Sequence, residues 1–368
     1  MLPFRVVYIV KQFPQISESY IKTEIEAVRE KCDVLVVATH KASLAAKNHP
    51  PFRYIDDLAS IREAIEDFRP HVLHTHWLHS ARMVGKLAKQ TNVPFTVRTH
   101  SFDAIWDDTE GPSTWNRLFG ARQLPPHVRE AISFIRSDMC LGILAFPFNR
   151  VRLEKAGISG DKIIDSYPVV NYPLFHNTEP NGDEIMNVGA AITKKHMEDF
   201  IDLGAMAPKQ SFNLYAMAYD VERLRKLNEA KGKPVNLIPP VELEDMPAQY
   251  KKHRWLVYTA RMDRGSVGWP MSVAEAQASG VGVCMANIRP DLREYVGDAG
   301  FLFNSVTEAY DIITKPFPEE MRERGFEQAK KSNIFEHRTS LFSLWQTVGS
   351  GHFRNHEVNV DSTITVNE

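Results

Sequence analysis

Residues 268–280 read Gly268-Trp269-Pro270-Met271-Ser272-Val273-Ala274-Glu275-Ala276-Gln277-Ala278-Ser279-Gly280, and the apolar run Val281-Gly282-Val283-Cys284-Met285 follows at once. The order is a glycine-and-proline loop, a short helix with one acid in its early part, a glycine stop and a buried strand. Small residues in such a loop leave backbone N–H groups uncovered, and the helix behind them directs about half a positive charge at whatever sits in front. The phrase therefore offers a seat for a diphosphate. Glu275, in the first turns, is placed to accept from a ribose diol; the plainer reading is a solvated acid in an ordinary βα unit.

Outward from this stretch, short strand-like runs that are apolar on both faces alternate with helical patterns along the whole chain, as in parallel sheets covered by helices. In the first half the runs are Val6 to Val10, Asp33 to Ala38, Val72 to Thr75, Phe95 to Arg98 and Leu141 to Ala145. Helical patterns at Glu18 to Lys31, Leu58 to Phe68, Ala81 to Gln90 and Val128 to Arg136 separate them. Residues 166–180 hold prolines and asparagines without periodicity and read as a linker. The pattern then restarts, with strands at Glu184 to Val188, Phe212 to Met217, Val235 to Ile238, Leu256 to Tyr258, Gly282 to Met285 and Gly300 to Phe303. The expected fold is α/β, with two doubly wound Rossmann-like domains facing across a cleft, over 1–170 and 171–335. A last packed helix with Phe335, Leu341, Phe342, Leu344 and Trp345, then a polar tail, fills 336–368.

The composition narrows the function. A net charge of −2 over 368 residues leaves no basic footprint for nucleic acid. Cys32, Cys140 and Cys284 lie far apart, so neither a disulfide framework nor a thiolate metal site is expected. The start of the chain lacks a charged leader pattern and no apolar run spans a bilayer, so the expected setting is cytoplasmic, with at most peripheral contact at the inner membrane face.

Within this frame the stretch 268–280 resembles the donor-binding signature of GT-B glycosyltransferases, specifically the retaining, family 4-like enzymes that use nucleotide sugars. The family phrase resembles "EGFPLVLLEAMASGLPVV", with a pair of acids; Glu275 is the second, and Val267 holds the place of the first. The resemblance extends over most of the chain. "IVKQFPQISESYIKTEIEAV", residues 9–28, looks like the family's opening strand, loop and first helix, and implies that Gln15 and Ser17 face the acceptor; Ser17 is also a good N-cap for a helix from Glu18. His74-Thr75-His76-Trp77 and Val97-Arg98-Thr99-His100-Ser101-Phe102-Asp103 resemble "HAHF" and "TAHAxDI" at two strand ends. They imply that His100 reaches the donor sugar with Asp103 beside it, and place His76 on the acceptor side; a nearby acid can also fix an imidazole tautomer. "NVGAAITKKH", residues 187–196, resembles "GRLVEKKG", where an arginine and a lysine clamp the diphosphate. Lys195 holds the lysine position after Gly189, Ala190 stands in place of the arginine, and Lys194, Arg261 or Arg264 are candidate helpers. "MPAQYKKHRWLVYTARMDRGSVGWP", residues 246–270, is similar to "ELPELYAxADVFVLPSxxEGFP" but departs from it over 261–266.

The resemblance implies a retaining, metal-independent transfer of a sugar from a nucleotide-diphosphate donor to a glycan, lipid-linked or small-molecule hydroxyl acceptor. No cofactor is needed beyond the nucleotide-sugar co-substrate. It implies roles for His100, Lys195 and Glu275 in catalysis, and for Gly189, Lys194, Gly268, Trp269, Pro270, Met271, Ser272, Asp103 and Arg264 at the donor. Two other readings stand beside it. Ala190 and Val267 fit a non-catalytic GT-B subunit that binds a glycan or partner. His74, His76, His79 and His100 invite a metallohydrolase reading, weakened by the lack of a carboxylate at suitable spacing. Trp106 and Trp115, in the unusual stretch before Pro126, are candidates to stack on a sugar ring or simply to pack.

Overall fold

The computed structural model describes residues 3–100, 103–104, 126–264 and 267–348. Ser101 and Phe102, Trp106, Trp115 and the polar tail lie outside the described residues.

Two parallel sheets carry the chain. The first has seven strands in the order β3-β2-β1-β4-β5-β6-β7, built from β1 Phe4–Gln12, β2 Cys32–His40, β3 Arg53–Tyr54, β4 Val72–His76, β5 Phe95–Arg98, β6 Cys140–Ala145 and β7 Ile163–Asp165. The second has six in the order β10-β9-β8-β11-β12-β13, built from β8 Glu184–Ala191, β9 Phe212–Tyr219, β10 Asn236–Leu237, β11 His253–Tyr258, β12 Gly282–Ala286 and β13 Gly300–Phe303. The strand order reverses between β1 and β4 in one sheet and between β8 and β11 in the other. In sheets of this kind ligands settle outside the carboxyl ends of the strands at that reversal. Two such points facing each other fix where a site must lie.

The expected runs form strands because their residues are buried on both faces, as in Val6–Val10 and Val283–Met285. Missing from the expectation are β3 and β7, edge strands too short to show a pattern. Ser17 differs from its expected role. It lies inside a 3₁₀ turn, Ile16–Glu18, the helix proper runs Ser19–Arg29, and neither start is capped by a side chain.

The linker holds one helical turn, Tyr172–Phe175, capped by Asn171, whose side chain accepts from the Leu174 amide at 3.1 Å. Beside it the returning chain crosses: the Val170 and Ile334 amides bond Ser332 and Val170 carbonyls at 2.9 Å each. The final helix, Ile334–Gln346, then packs on the first domain, not on the second. Leu341 and Trp345 join a core with Phe4, Val6, Tyr8 and Leu144. Trp345 Nε1 donates to Thr96 Oγ1 at 3.1 Å, and Arg338 Nη1 donates to the Ala27 carbonyl at 2.6 Å. Across the cleft mouth Lys22 pairs with Glu244, and the Lys47 amide donates to Glu242 at 3.2 Å. The three cysteines are free and buried. Among the described residues no helix is long and apolar enough to cross a membrane.

Candidate functional site

The two reversal points enclose a cavity of about 390 Å³ between the domains. Its C-terminal wall is the glycine-and-proline loop with the start of the helix after it: Gly268, Trp269, Pro270, Met271, Ser272 and Glu275 line it. The helix runs Met271–Ala278, and its N-cap, Pro270, has no side-chain acceptor to satisfy the first amides. The stop is Gly280, at φ 73°, where the Val281 amide returns to the Ala276 carbonyl at 2.9 Å; only a residue without Cβ turns left-handed there without strain. Trp269 is stacked on Tyr295 (4.9 Å between centroids, 6° between planes), and its Nε1 donates to Asp291 at 2.8 Å, so the loop is held rigid.

Lys194 and Lys195 enter from a 3₁₀ turn after β8. The Thr259 hydroxyl donates to the Lys195 carbonyl at 2.8 Å and the Arg261 amide to the Lys194 carbonyl at 3.1 Å, which fastens the turn to the end of β11. Gly189, at φ 147°, does not line the cavity; it makes room, since a Cβ there would collide with the Lys195 ammonium. Burial lowers both lysines to about 8, with the Lys194 charge adding to the effect on Lys195 and with Glu275 and Asp103 opposing on Lys195 and Lys194 respectively. Glu275 is 7 % exposed and accepts from the Tyr250 hydroxyl at 2.8 Å. Burial raises it to about 7, against that bond and the Lys195 charge. The wall thus holds two cations and one anion, each pushed toward neutrality by lost water.

The N-terminal wall presents Ser17, Glu18, Tyr20, Trp77, His79 and His100. Tyr20 and Trp77 hold the His100 ring at centroid distances of 4.3 and 4.7 Å. Trp77 adopts φ 74°, uncommon for a bulky residue, at the turn out of β4. Burial raises Glu18 to about 7, with Lys11 opposing.

Residues 20–134 match the family model of the glycosyl transferase 4-like domain. Solved structures align along nearly the whole length. Sucrose-phosphate synthase from Thermosynechococcus elongatus gives a TM-score of 0.72 at 13% identity, with 92% of this chain and 98% of that one covered. HepE from Anabaena, crystallised in complex with UDP and glucose, gives 0.68 at 14% identity over 92% and 99%. The lipopolysaccharide outer core galactosyltransferase WaaB gives 0.58 at 12% identity over 92% and 99%. The chain has the GT-B fold. No curated protein matches the sequence.

Several expected residues stand elsewhere in this GT-B cleft. Asp103 is not among the lining residues: its carboxylate accepts from the Leu78 amide at 2.8 Å and the His100 amide at 3.2 Å, tying strand ends together, and its charge still acts on Lys194. His76 is fully buried behind His100, its Nδ1 2.8 Å from His100 Nε2, and does not line the acceptor side. Gln15 is buried too; its Oε1 accepts from the Ser43 amide at 2.9 Å, holding the 43–44 loop. Arg264 is half-exposed beside Asp263, and Arg261 pairs with Asp199 at 2.9 Å, so neither lines the cavity. Ala190 and Val267 do line it, side by side with Lys195 and Gly268.

Glu24 escaped the sequence reading. It lies in the core at 0% exposure, and the folded chain brings His74 Nε2 to 3.0 Å and His76 Nε2 to 3.3 Å from its Oε1. The absence of a carboxylate, which weakened the metal reading, is therefore corrected: these three side chains do converge. Their oxygens, however, are already engaged, Oε1 by the Tyr8 hydroxyl at 3.1 Å and Oε2 by Arg98 Nε. A guanidinium on the carboxylate supplies the positive charge that a cation would bring, and a second charge would be left uncompensated in the core. Burial raises Glu24, but the opposing influences, led by the Arg98 guanidinium, outweigh it and hold the carboxyl well below its ordinary range. No local pattern marks Glu24, since an acid on an amphipathic helix reads as solvated; the signal was the missing partner for a His-x-His strand.

Proposed function

We propose that the chain is a glycosyltransferase that moves a sugar from a nucleotide-diphosphate donor to a hydroxyl acceptor with retention of configuration and without a metal. One observation carries the reading: Lys194, Lys195, Glu275 and an uncapped helix start converge on one cleft opposite His100. Transfer leaves a nucleoside diphosphate whose charge grows as the glycosidic bond breaks. Preorganised donors in a dry site meet that growth best. Lys195 and the N-terminus at Met271 take the phosphates, Glu275 the ribose diol, and His100 a sugar hydroxyl. The leaving phosphate accepts the acceptor proton on the same face. UDP and glucose in the HepE crystals support a nucleotide-sugar donor. The three free cysteines suit a reducing, cytoplasmic setting.

Ala190 and Val267 in the cavity wall favour a second reading, a GT-B subunit that binds a glycan or partner without catalysis. A thermal-shift screen of nucleotides and nucleotide sugars, with donor hydrolysis measured on each hit, separates the two. The transferase reading expects stabilisation near 2.7 kcal/mol at about one hundred times the dissociation constant, together with slow hydrolysis. Binding without any hydrolysis favours the second reading, and no shift by any nucleotide refutes the first.

A further inference from the structure

The proton on His100 is placed from inside the core. The Glu24 carboxylate, an acceptor only, faces His74 Nε2 at 3.0 Å and draws the His74 hydrogen to that nitrogen, which leaves Nδ1 to accept from the Thr96 hydroxyl 2.7 Å away, whose oxygen also accepts from Trp345 Nε1 at 3.1 Å. His76 repeats the arrangement one pair further along the strand: Nε2 faces Glu24 Oε1 at 3.3 Å, and Nδ1 faces His100 Nε2 at 2.8 Å. Neither Nε2 reaches Glu24 in a well-angled hydrogen bond, but the carboxylate is the one charged acceptor beside each. Glu24 and Arg98 balance each other, so the buried cluster is neutral overall when both rings are neutral. A neutral His76 with its hydrogen toward Glu24 offers a bare Nδ1. The partner atom, His100 Nε2, must then be the donor.

We infer that Glu24 and His76 are positioning residues that hold His100 as its Nε2–H tautomer, leaving the Nδ1 lone pair to accept a hydrogen bond from a substrate hydroxyl in the cleft. Among the described residues His100 Nδ1 has no protein partner, and the ring lines the cavity. The His76 and His100 rings lie nearly coplanar, 10° apart, and meet edge to edge through these two nitrogens, while Tyr20 and Trp77 pack against the His100 ring and leave it little freedom to flip. An acceptor here selects a hydroxyl and rejects an anion, which suits the sugar end of a donor and not its phosphates.

The effect on turnover rests on the transferase reading; the tautomer does not. Long-range ¹H–¹⁵N correlation spectra of histidine-labelled full-length protein, with His100 assigned by its loss in His100→Gln, read the protonated nitrogen directly. The wild type is expected to show Nε2–H. His76→Phe keeps Glu24, Arg98 and His74 in place but removes the link. It is expected to show His100 as a mixture of tautomers and to lower kcat about tenfold or more, with nucleotide affinity unchanged. His100 as Nδ1–H in the wild type overturns the inference, as does a folded His76→Phe variant that keeps the wild-type tautomer. Because the wild-type spectrum decides by itself, failure of the variant to fold does not rescue the idea. A wild type without transferase turnover whose His100 still reads as Nε2–H supports the positioning and defeats the reading of the cleft.

Discussion

The two walls of the cleft use charge in opposite ways. Behind the N-terminal wall the core acid is completed by the protein: Glu24 has Arg98, Tyr8 and two histidines around it, all removed from solvent, while Glu18 at the cleft is raised by burial to about 7. On the C-terminal side Lys194 and Lys195 stand at about 8 and Glu275 at about 7, all held by burial away from their ordinary values. One cluster is finished by folding, and the other is the one that a donor would finish under the proposed function. Desolvated cations cost the free protein stability, and a diphosphate that restores their charge recovers it.

This contrast breaks most sharply at Glu24. Glu24→Ala leaves Arg98 buried without its partner and should cost about 3–5 kcal/mol of stability, read by denaturant unfolding. Lys195→Ala should lower turnover about a hundredfold or more, and lower donor binding less, while leaving the stability of the free protein unchanged or higher. A variant that loses donor binding with turnover unchanged would make Lys195 a binding group only; one that loses stability would erase the distinction between the walls.

The pH dependence sharpens the same point. Above about 8 the two lysines lose the charge that would meet a diphosphate, and below about 7 Glu275 gains a proton and loses the charge that would strengthen a contact with a diol. Nucleotide affinity, followed by calorimetry, should therefore peak between about pH 7 and 8 and fall on both sides, by up to about tenfold per unit for each group crossed. A flat profile across pH 6 to 9, with pH limits given roughly by these groups, would mean the charges are not engaged.

Smaller effects are expected from the other two positions. Glu275→Ala removes a charge-assisted contact worth about 1.5–3 kcal/mol, so nucleotide affinity should weaken about tenfold or more in a folded protein. Val267→Glu adds an acid to the cavity wall and should weaken the native donor by a few-fold, on the order of 1 kcal/mol, if the wall is apolar because the sugar is deoxygenated or acylated there. Preference for UDP-glucose over modified sugars in competition would remove that reason.

Much of this was legible in the sequence because parallel strands are apolar on both faces; Phe95 to Arg98, Gly300 to Phe303 and the helix Leu58 to Phe68 fall where their patterns place them. The loop at Gly268 and the lysine pair were legible too, since their chemistry is local. What joins Glu24 to His74, His76 and Arg98 is sheet order, β1 beside β4 beside β5, and no window along the chain contains it. The same limit misplaced Asp103 and His76. Both are polar groups at strand ends, and whether such a group faces the cleft or closes the end of the sheet depends on neighbours far away in sequence.

The indole that seals Thr96 comes from the last described helix. In a chain made from its N-terminus, the first domain is therefore missing a core element until the second domain has been synthesised. Trp345 is fully buried there, and a buried tryptophan is worth about 3–5 kcal/mol. Order of synthesis and order of folding do not coincide: the histidine cluster closes only after translation has passed the loop at Gly268, so a chain released early carries strands without the residue that locks them.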